Sequence, residues 1–188
     1  MEKVRHLTIE ELEAGLPEIC GSPKDKGELK LIVRRPGPGK REALPKAELD
    51  PAEGLIGDCW KTRGSSREPG RAPDPDTQLT LMNSRVIALL ARSEDRWQLA
   101  GDQLFLDLDL SEENLPSGTR LALGSAVIEV TAKPHVGCKK LVEYFGPAAM
   151  KFLNLPAWRQ LRLRGVNARV IKPGKVRAGD TVRKLTVK

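Results

Sequence analysis

Hydrophobic and polar positions along the chain fall into short runs of two kinds. Runs with a period near two mark strands. Residues 28 to 35 place Leu29, Leu31, Ile32 and Val33 among polar neighbours, and Pro36-Gly37-Pro38-Gly39 stops the run because proline cannot extend a ladder. Gln78 to Met82 predicts a second short strand, and Leu104 to Leu110 alternates through Asp107 and Asp109 as a strand with one wet face does. Leu121 to Val130, with Gly124-Ser125 at its centre, reads as a hairpin. Asn167 to Ile171 and Thr181 to Val187 close the series, joined through Pro173-Gly174 and Ala178-Gly179-Asp180.

Helical spacing is confined to short segments between these strands. Thr8 and Glu11 form a capping-box pair ahead of Leu12 and Leu16, which predicts a short N-terminal helix lying on the domain. Asn83-Ser84 caps a helix through Val86, Ile87, Leu89 and Leu90, and Ser93 caps one or two turns up to Leu99. From Lys139 the spacing of Leu141, Val142 and Phe145 is helical. Gly146-Pro147 then ends that helix and opens another through Ala148, Ala149, Met150, Phe152 and Leu153. Lys61 to Asp76 has no period, and is expected to be a long exposed loop whose Lys61, Arg63, Arg67 and Arg71 either cover an anionic ligand or are simply solvated. Strands and turns dominate. The expected fold is mainly β within the α+β class, a β-barrel or strongly curved sheet with short peripheral helices, rather than a βαβ repeat. Residues 1–27 are expected to be an N-terminal extension with its helix, and 28–188 the barrel domain.

The 188 residues suit one domain of ordinary size. Charge adds a direction: 32 Lys and Arg against 25 Asp and Glu give +7, which favours an anionic ligand or partner. Nucleic acid is not expected, since aromatic residues are only 4% and no basic run is interleaved with them for base stacking. The first twenty residues are broken by charges, among them Glu2, Lys3, Arg5 and Glu10, so no signal peptide is expected. No apolar run approaches the roughly 18 residues of a membrane span, and a cytoplasmic location is the expectation. Cys20, Cys59 and Cys138 are too widely spaced for a disulfide framework and are read as free thiols.

Chemistry concentrates in Pro134-His135-Val136-Gly137-Cys138-Lys139-Lys140, directly after the strand run that ends at Val130. One of two histidines stands three residues before a cysteine that two lysines follow. Nearby cations and a helix beginning after Cys138 would favour the thiolate, the form that attacks sulfur and binds soft metals, although a free cysteine often just fills space. His135 is either a base for that thiol or a hydrogen-bonded loop histidine. Arg162 and Arg164, with Lys139 and Lys140, are candidates for an anion site, or are solvated. Cys59 is a candidate resolving thiol for Cys138, and Cys20 is read as incidental. Phosphate-binding glycine loops, paired CxxC motifs and a GxSxG elbow are all absent from the sequence, and the few nitrogen and sulfur donors do not make the grouped set that structural zinc requires.

Read together, these segments resemble a known family. Gly57-Asp58, Gln78 to Asn83, Glu113-Asn114-Leu115, Leu123 to Thr131, His135-Val136-Gly137-Cys138, Arg164 to Val170 and Ala178 to Val182 occur in the order seen in the MOSC domain, the domain named for the C-terminal part of molybdenum cofactor sulfurases. The likeness spans about residues 28 to 187. It implies a barrel like the small barrel domain of pyruvate kinase. It also implies a role in sulfur transfer or molybdenum cofactor binding, with Cys138 as the persulfide site or as a ligand to molybdenum. Asp58, Asn83, Glu113, Asn114, Lys139 and Arg164 are carried over as candidate cofactor-binding residues, and Cys138 and His135 as catalytic ones. Asp58, Glu113 and Asn114, in predicted turns, either orient a ligand or brace backbone amides.

Two positions depart from the family pattern: Trp60 stands where members often have histidine, and Glu112 where many have glycine. Trp60 either stacks on a planar heterocycle or packs. Three functions follow from the resemblance. The first, favoured, is a sulfur carrier or sulfurtransferase with persulfide on Cys138. The second is a molybdopterin-binding module, with or without reductase activity. The third is an interaction protein on an intact barrel. Pyridoxal phosphate binding belongs with the family's association with cysteine desulfurases. The chain is expected to have no room for such a domain, so a separate desulfurase-like donor would load it, or a small anionic pterin would be the partner.

Overall fold

A computed structural model of the chain describes residues 5–63, 72–136 and 139–186. In chain order the strands are β1 (Lys26–Arg34), β2 (Glu42–Leu44), β3 (Lys46–Asp50), β4 (Gly54–Leu55), β5 (Leu79–Asn83), β6 (Leu104–Asp107), β7 (Arg120–Leu123), β8 (Ala126–Val130), β9 (Val166–Lys172), β10 (Gly174–Arg177) and β11 (Thr181–Leu185). The α-helices are α1 (Ile9–Ala14), α2 (Leu16–Cys20), α3 (Trp60–Arg63), α4 (Ser84–Ala91) and α5 (Lys139–Leu153), with 3-10 turns over Pro75–Thr77, Glu94–Ala100 and Pro156–Leu161.

Seven strands close on themselves in the order β11-β7-β8-β9-β5-β6-β1, and the ring is completed by antiparallel pairing of β1 with β11 at Lys26↔Arg183 to Glu28↔Thr181. A closed barrel leaves these strands without an open edge. β1 is long enough to serve two neighbours on one side, β11 along its first third and β2 at Ile32↔Leu44 to Arg34↔Glu42. A register shift between Leu29 and Leu31 bends it against β6. β10, β3 and β4 form a separate three-stranded sheet.

The barrel is the expected mainly β fold, and it contains one βαβ crossover: β5 and β6 are parallel, joined through α4. All five residues of β5 are buried, as befits a strand covered on both faces. Leu29, Leu81, Leu104, Leu106, Leu121, Ile128 and Val182 fill the barrel interior. A second apolar cluster lies between the barrel wall and the helices, where Leu12 and Leu16 meet Val86, Ile87, Phe105, Leu141, Phe145 and Phe152. Burying such side chains stabilises the fold by roughly 1.5–3 kcal/mol each.

Local signals are realised closely. The Thr8 hydroxyl accepts from the Glu11 amide while the Glu11 carboxylate accepts from the Thr8 amide at 2.8 Å, and Asn83 caps α4. Gly146 (φ 88°, ψ 165°) breaks α5, and Pro147 opens its second half. Gly124-Ser125 is the two-residue turn between β7 and β8. Other boundaries differ. The strand expected to reach Leu110 ends at Asp107, and the one expected to reach Val187 ends at Leu185. The expected loop over 61 to 76 opens and closes with helical turns. Arg67 and Arg71 lie outside the described residues.

Candidate functional site

The site is built where β1 ends and β6 begins. Antiparallel pairing of these strands brings Arg35, directly after β1, beside the segment 100–103 that leads into β6. That segment is tied down on both flanks: the Val33 amide donates to the Gln103 carbonyl at 2.7 Å, and the Gln103 side chain accepts from the Thr80 amide and donates to the Gln78 carbonyl. Asp102 is thereby fixed in the interior, with its side chain fully buried.

Two charged side chains meet Asp102. The Arg164 Nη1 donates to Oδ2 at 2.7 Å, and His135 Nε2 lies 2.7 Å from Oδ1. Burial pushes the Asp102 carboxyl pKa up, but the Arg164 guanidinium and His135 outweigh it and hold the group down, to about 2. Burial also drives His135 below its ordinary value, and Arg164 and Arg35 add to that against the opposing pull of Asp102. Asp102 is therefore ionised and His135 neutral at pH 7. A carboxylate only accepts, so the imidazole proton sits on Nε2 and Nδ1 carries the lone pair. Nδ1 has no hydrogen-bond partner among the described residues. The ring's side chain is 12% exposed, so this basic nitrogen is held in a largely dry place.

Arg164 reaches Asp102 because the next residue is a glycine. Gly165 (φ +103°) lies so close to β5 that a Cβ there would stand 2.1 Å from the Leu81 carbonyl oxygen, and 3.4 Å from His135 Cδ2. A second buried pair abuts the first. Arg35 grips Asp58 in a fork, Nε to Oδ2 at 2.9 Å and Nη2 to Oδ1 at 2.8 Å, and its Nη1 donates to the Gly101 carbonyl at 3.2 Å. Asp58 also accepts from the amides of Arg35 and Trp60. Arg41 approaches from the stretch before β2; a Cβ on Gly101 would stand 3.2 Å from its Nη2. Three guanidinium groups thus converge on residues 100–102 against two carboxylates, Asp58 and Asp102, and two of them keep a buried Nε–H with no partner among the described residues, Arg41 and Arg164.

Of the residues expected from sequence, Asp58, His135 and Arg164 come together here. Asn83 does not: its amide nitrogen donates to Ser22 Oγ and the Leu108 carbonyl, beyond the far end of β6 from Asp102. Asn114 donates to the Lys24 and Asp109 carbonyls and accepts from Lys184, which ties it to the opposite end of β1 from Arg35; Glu113 lines a shallow cleft beside it. Gly137 and Cys138 lie outside the described residues, as does the side chain of Lys139, which opens α5. Arg162 donates instead to the Leu115 carbonyl. Trp60 packs, 4% exposed, with its indole N–H toward Thr77 Oγ1 at 3.3 Å. Cys59 is half-buried beside Arg35, whose carbonyl accepts the Cys59 amide at 2.7 Å, and Cys20 is exposed.

Arg35, Arg41 and Asp102 were not among the candidates read from sequence. A signal exists for one: Asp102 is a lone acid at the mouth of an apolar strand, where burial demands a partner. Among the described residues no group of three or more His, Cys, Asp or Glu side chains is placed to hold a metal, and no helix is long and apolar enough to cross a membrane.

The architecture is shared with solved proteins. The YuaD protein from Bacillus subtilis is 17% identical with a TM-score of 0.58, over 87% of this chain and 97% of that one. YiiM from Escherichia coli is 22% identical with a TM-score of 0.53, over 86% of this chain and 71% of that one. YiiM from Geobacillus stearothermophilus is 15% identical with a TM-score of 0.54, over 85% and 75%. At such identities the likeness establishes the fold alone. No curated protein matches the chain in sequence. The family model for the MOSC domain matches residues 74–183, more than half of the chain, and by that match the protein belongs to the MOSC domain family.

Proposed function

We propose that the protein is a sulfur carrier or sulfurtransferase that holds persulfide on Cys138, with His135 as the base that takes the thiol proton. The observation that carries this reading is the His135–Asp102 contact: it fixes the proton on Nε2 and leaves a neutral, basic Nδ1 three residues before the cysteine. Three residues span at most about 11 Å of chain, which bounds the separation of the two backbones and is compatible with the pairing proposed. Asp102 stabilises the imidazolium formed on proton transfer, and the guanidinium excess around Ala100–Asp102 favours the thiolate left behind. The thiolate then attacks the sulfane sulfur of a donor. A new S–S bond forms on Cys138, the donor's S–S bond breaks, and its electron pair leaves with the departing group.

A molybdenum pterin is the second reading, favoured by the same surplus of guanidinium donors. Cys138 would hold the metal through a soft thiolate, and Arg41 and Arg164 suit an anionic group on the pterin. When bound, such a cofactor would supply oxygen-atom or electron transfer. The residues around it would orient the anion and exclude water.

Incubation with a sulfane donor, followed by peptide mass spectrometry, tests the carrier reading. The expected result is an adduct of one sulfur on Cys138 that reductant removes, absent in Cys138→Ser, which stays folded. Undiminished sulfur transfer by Cys138→Ser would contradict it.

A further inference from the structure

The helices meet the barrel at Val33, Met82 and Phe105, on β1, β5 and β6. On the other wall β11, β7, β8 and β9 run side by side, and their register sets one row of outward side chains across it. Lys26 on β1 stands opposite Arg183, Arg183 opposite Ala122, Ala122 opposite Val127, and Val127 opposite Lys172. The three basic residues are exposed and Ala122 and Val127 half-buried, while the neighbouring Val182, Leu123 and Ile128 point into the core. Lys26 and Arg183 are directly opposite, the arrangement in which like charges destabilise a pair of strands. Neither they nor Lys172 has an ion pair among the described residues. The only acids in these five strands are engaged elsewhere: Glu28 accepts from Lys30 at 2.7 Å, and Glu129 accepts from Arg120 at 3.0 Å and Arg169 at 2.7 Å. The row therefore holds an exposed positive charge that nothing described in the chain answers.

We infer that this row docks an extended acidic segment of a protein partner, with carboxylates at both ends and apolar side chains between them. Charge complementarity sets the ends, since a negative partner relieves the repulsion that Lys26 and Arg183 impose on each other. The middle sets the class of partner. A half-buried apolar centre between charged flanks is how protein interfaces are built, whereas single-stranded nucleic acid is held by stacking on aromatic rings. β7, β8, β9 and β11 contain no aromatic residue. A second copy related by a two-fold axis would set one basic row against another, which repels. Spacing sets the length. Arg183 and Lys172 are separated by three strand spacings of about 4.8 Å, or roughly 14 Å, which about four extended residues span. Lys172 lies at the other end of β9 from Gly165, which abuts His135, so the docking face stands independently of the sulfur-carrier reading.

The test is fluorescence anisotropy of the full chain with a short synthetic peptide, glutamate-rich at both ends with valine and leucine between. The expected result is saturable binding that weakens as salt is raised, and weakens about tenfold in the double variant Lys172→Glu/Arg183→Glu. Lys40→Glu/Lys151→Glu makes the same change in net charge at exposed positions off the row, and should leave binding as it was. A peptide of equal charge with serine at its centre should bind less tightly. Arg183→Glu by itself should raise the urea midpoint, because it turns a like-charge pair with Lys26 into an opposite-charge one, so lost binding is separable from lost folding. Absence of peptide binding overturns the inference, as does binding that both double variants weaken alike or that the serine peptide matches. Tighter binding of a DNA duplex or of anionic lipid vesicles at the same salt overturns it in favour of that partner, and self-association abolished by Lys172→Glu/Arg183→Glu in favour of a second copy. A midpoint that fails to rise in Arg183→Glu removes the repulsion on which the inference stands.

Discussion

One proton decides what His135 can do. Because Asp102 is ionised and accepts from Nε2, the imidazole presents its lone pair at Nδ1, and burial with two flanking arginines keeps it unprotonated near neutrality. Replacing Asp102 by Asn tests this without removing the bulk. An amide can donate to Nε2, which would move the imidazole proton to Nδ1 and remove the base. The expected outcome is a folded protein whose rate of Cys138 sulfuration falls on the order of a hundredfold or more, the usual worth of general acid–base catalysis. An unchanged rate would assign the contact to folding alone. Asp102→Ala is a harsher change, leaving Arg164 and His135 buried without their acceptor, and should cost about 3–5 kcal/mol, read from denaturant midpoints. The two buried carboxylates illustrate what sequence can and cannot reveal about a residue. Asp58 is a candidate through the Gly57-Asp58 motif, and in the structure it grips Arg35 with both carboxylate oxygens. Asp102 carries no motif, and only the pairing of β5 with β6 on one side and with β9 on the other brings it to Arg164 and His135.

Elements, by contrast, were largely legible, and where they were not the reason is physical. Strands with an apolar face toward the barrel announce themselves, β1 and the β7–β8 hairpin by their pattern and β5, buried on both faces, as a short apolar run. β2 has no buried residue and β4 is two residues long, so neither offers a pattern. β10 starts at Gly174, one residue after Pro173, where breaker chemistry hides the strand. The segment 100–103, the support of the site, has no regular structure through its last three residues, and its order comes from the Gln103 side chain. The turn at Gly165 is where an element boundary and the chemistry meet. A side chain there would strike the Leu81 carbonyl, next to His135, in a backbone conformation that disfavours L residues. Gly165→Ala is expected to destabilise the barrel by about 2–4 kcal/mol and to slow sulfuration in whatever protein remains folded. A midpoint shift within about 0.5 kcal/mol of wild type would mean that the strand entry relaxes freely and does not hold the site.

At the scale of the molecule, a closed barrel with helices on one side gives a rigid frame whose charged cluster is buried, and burial couples that cluster to stability. His135 and Asp102 both have folded-state pKa values below their ordinary 6.5 and 3.8. The unfolded chain therefore binds more protons in each window, and stability rises with pH through it. Going down in pH, stability should fall first below 6.5, as unfolded-state histidine protonates, and again between 3.8 and about 2 as Asp102 does. Urea midpoints at pH 7, 5 and 3 should decline in that order, with a smaller first step in His135→Gln; a midpoint that holds steady from pH 7 to 5 would contradict the charge state assigned to His135.

The central claim is that Cys138 is a reactive thiol served by His135, and its alkylation rate against pH, followed by peptide mass spectrometry in wild type and His135→Gln, tests it most directly. An apparent midpoint well below the ordinary thiol value of about 8.5, moving up when His135 is replaced, is the expected result. A midpoint at or above that value, the same in both proteins, would make Cys138 an ordinary thiol and remove the basis for sulfur chemistry at this site.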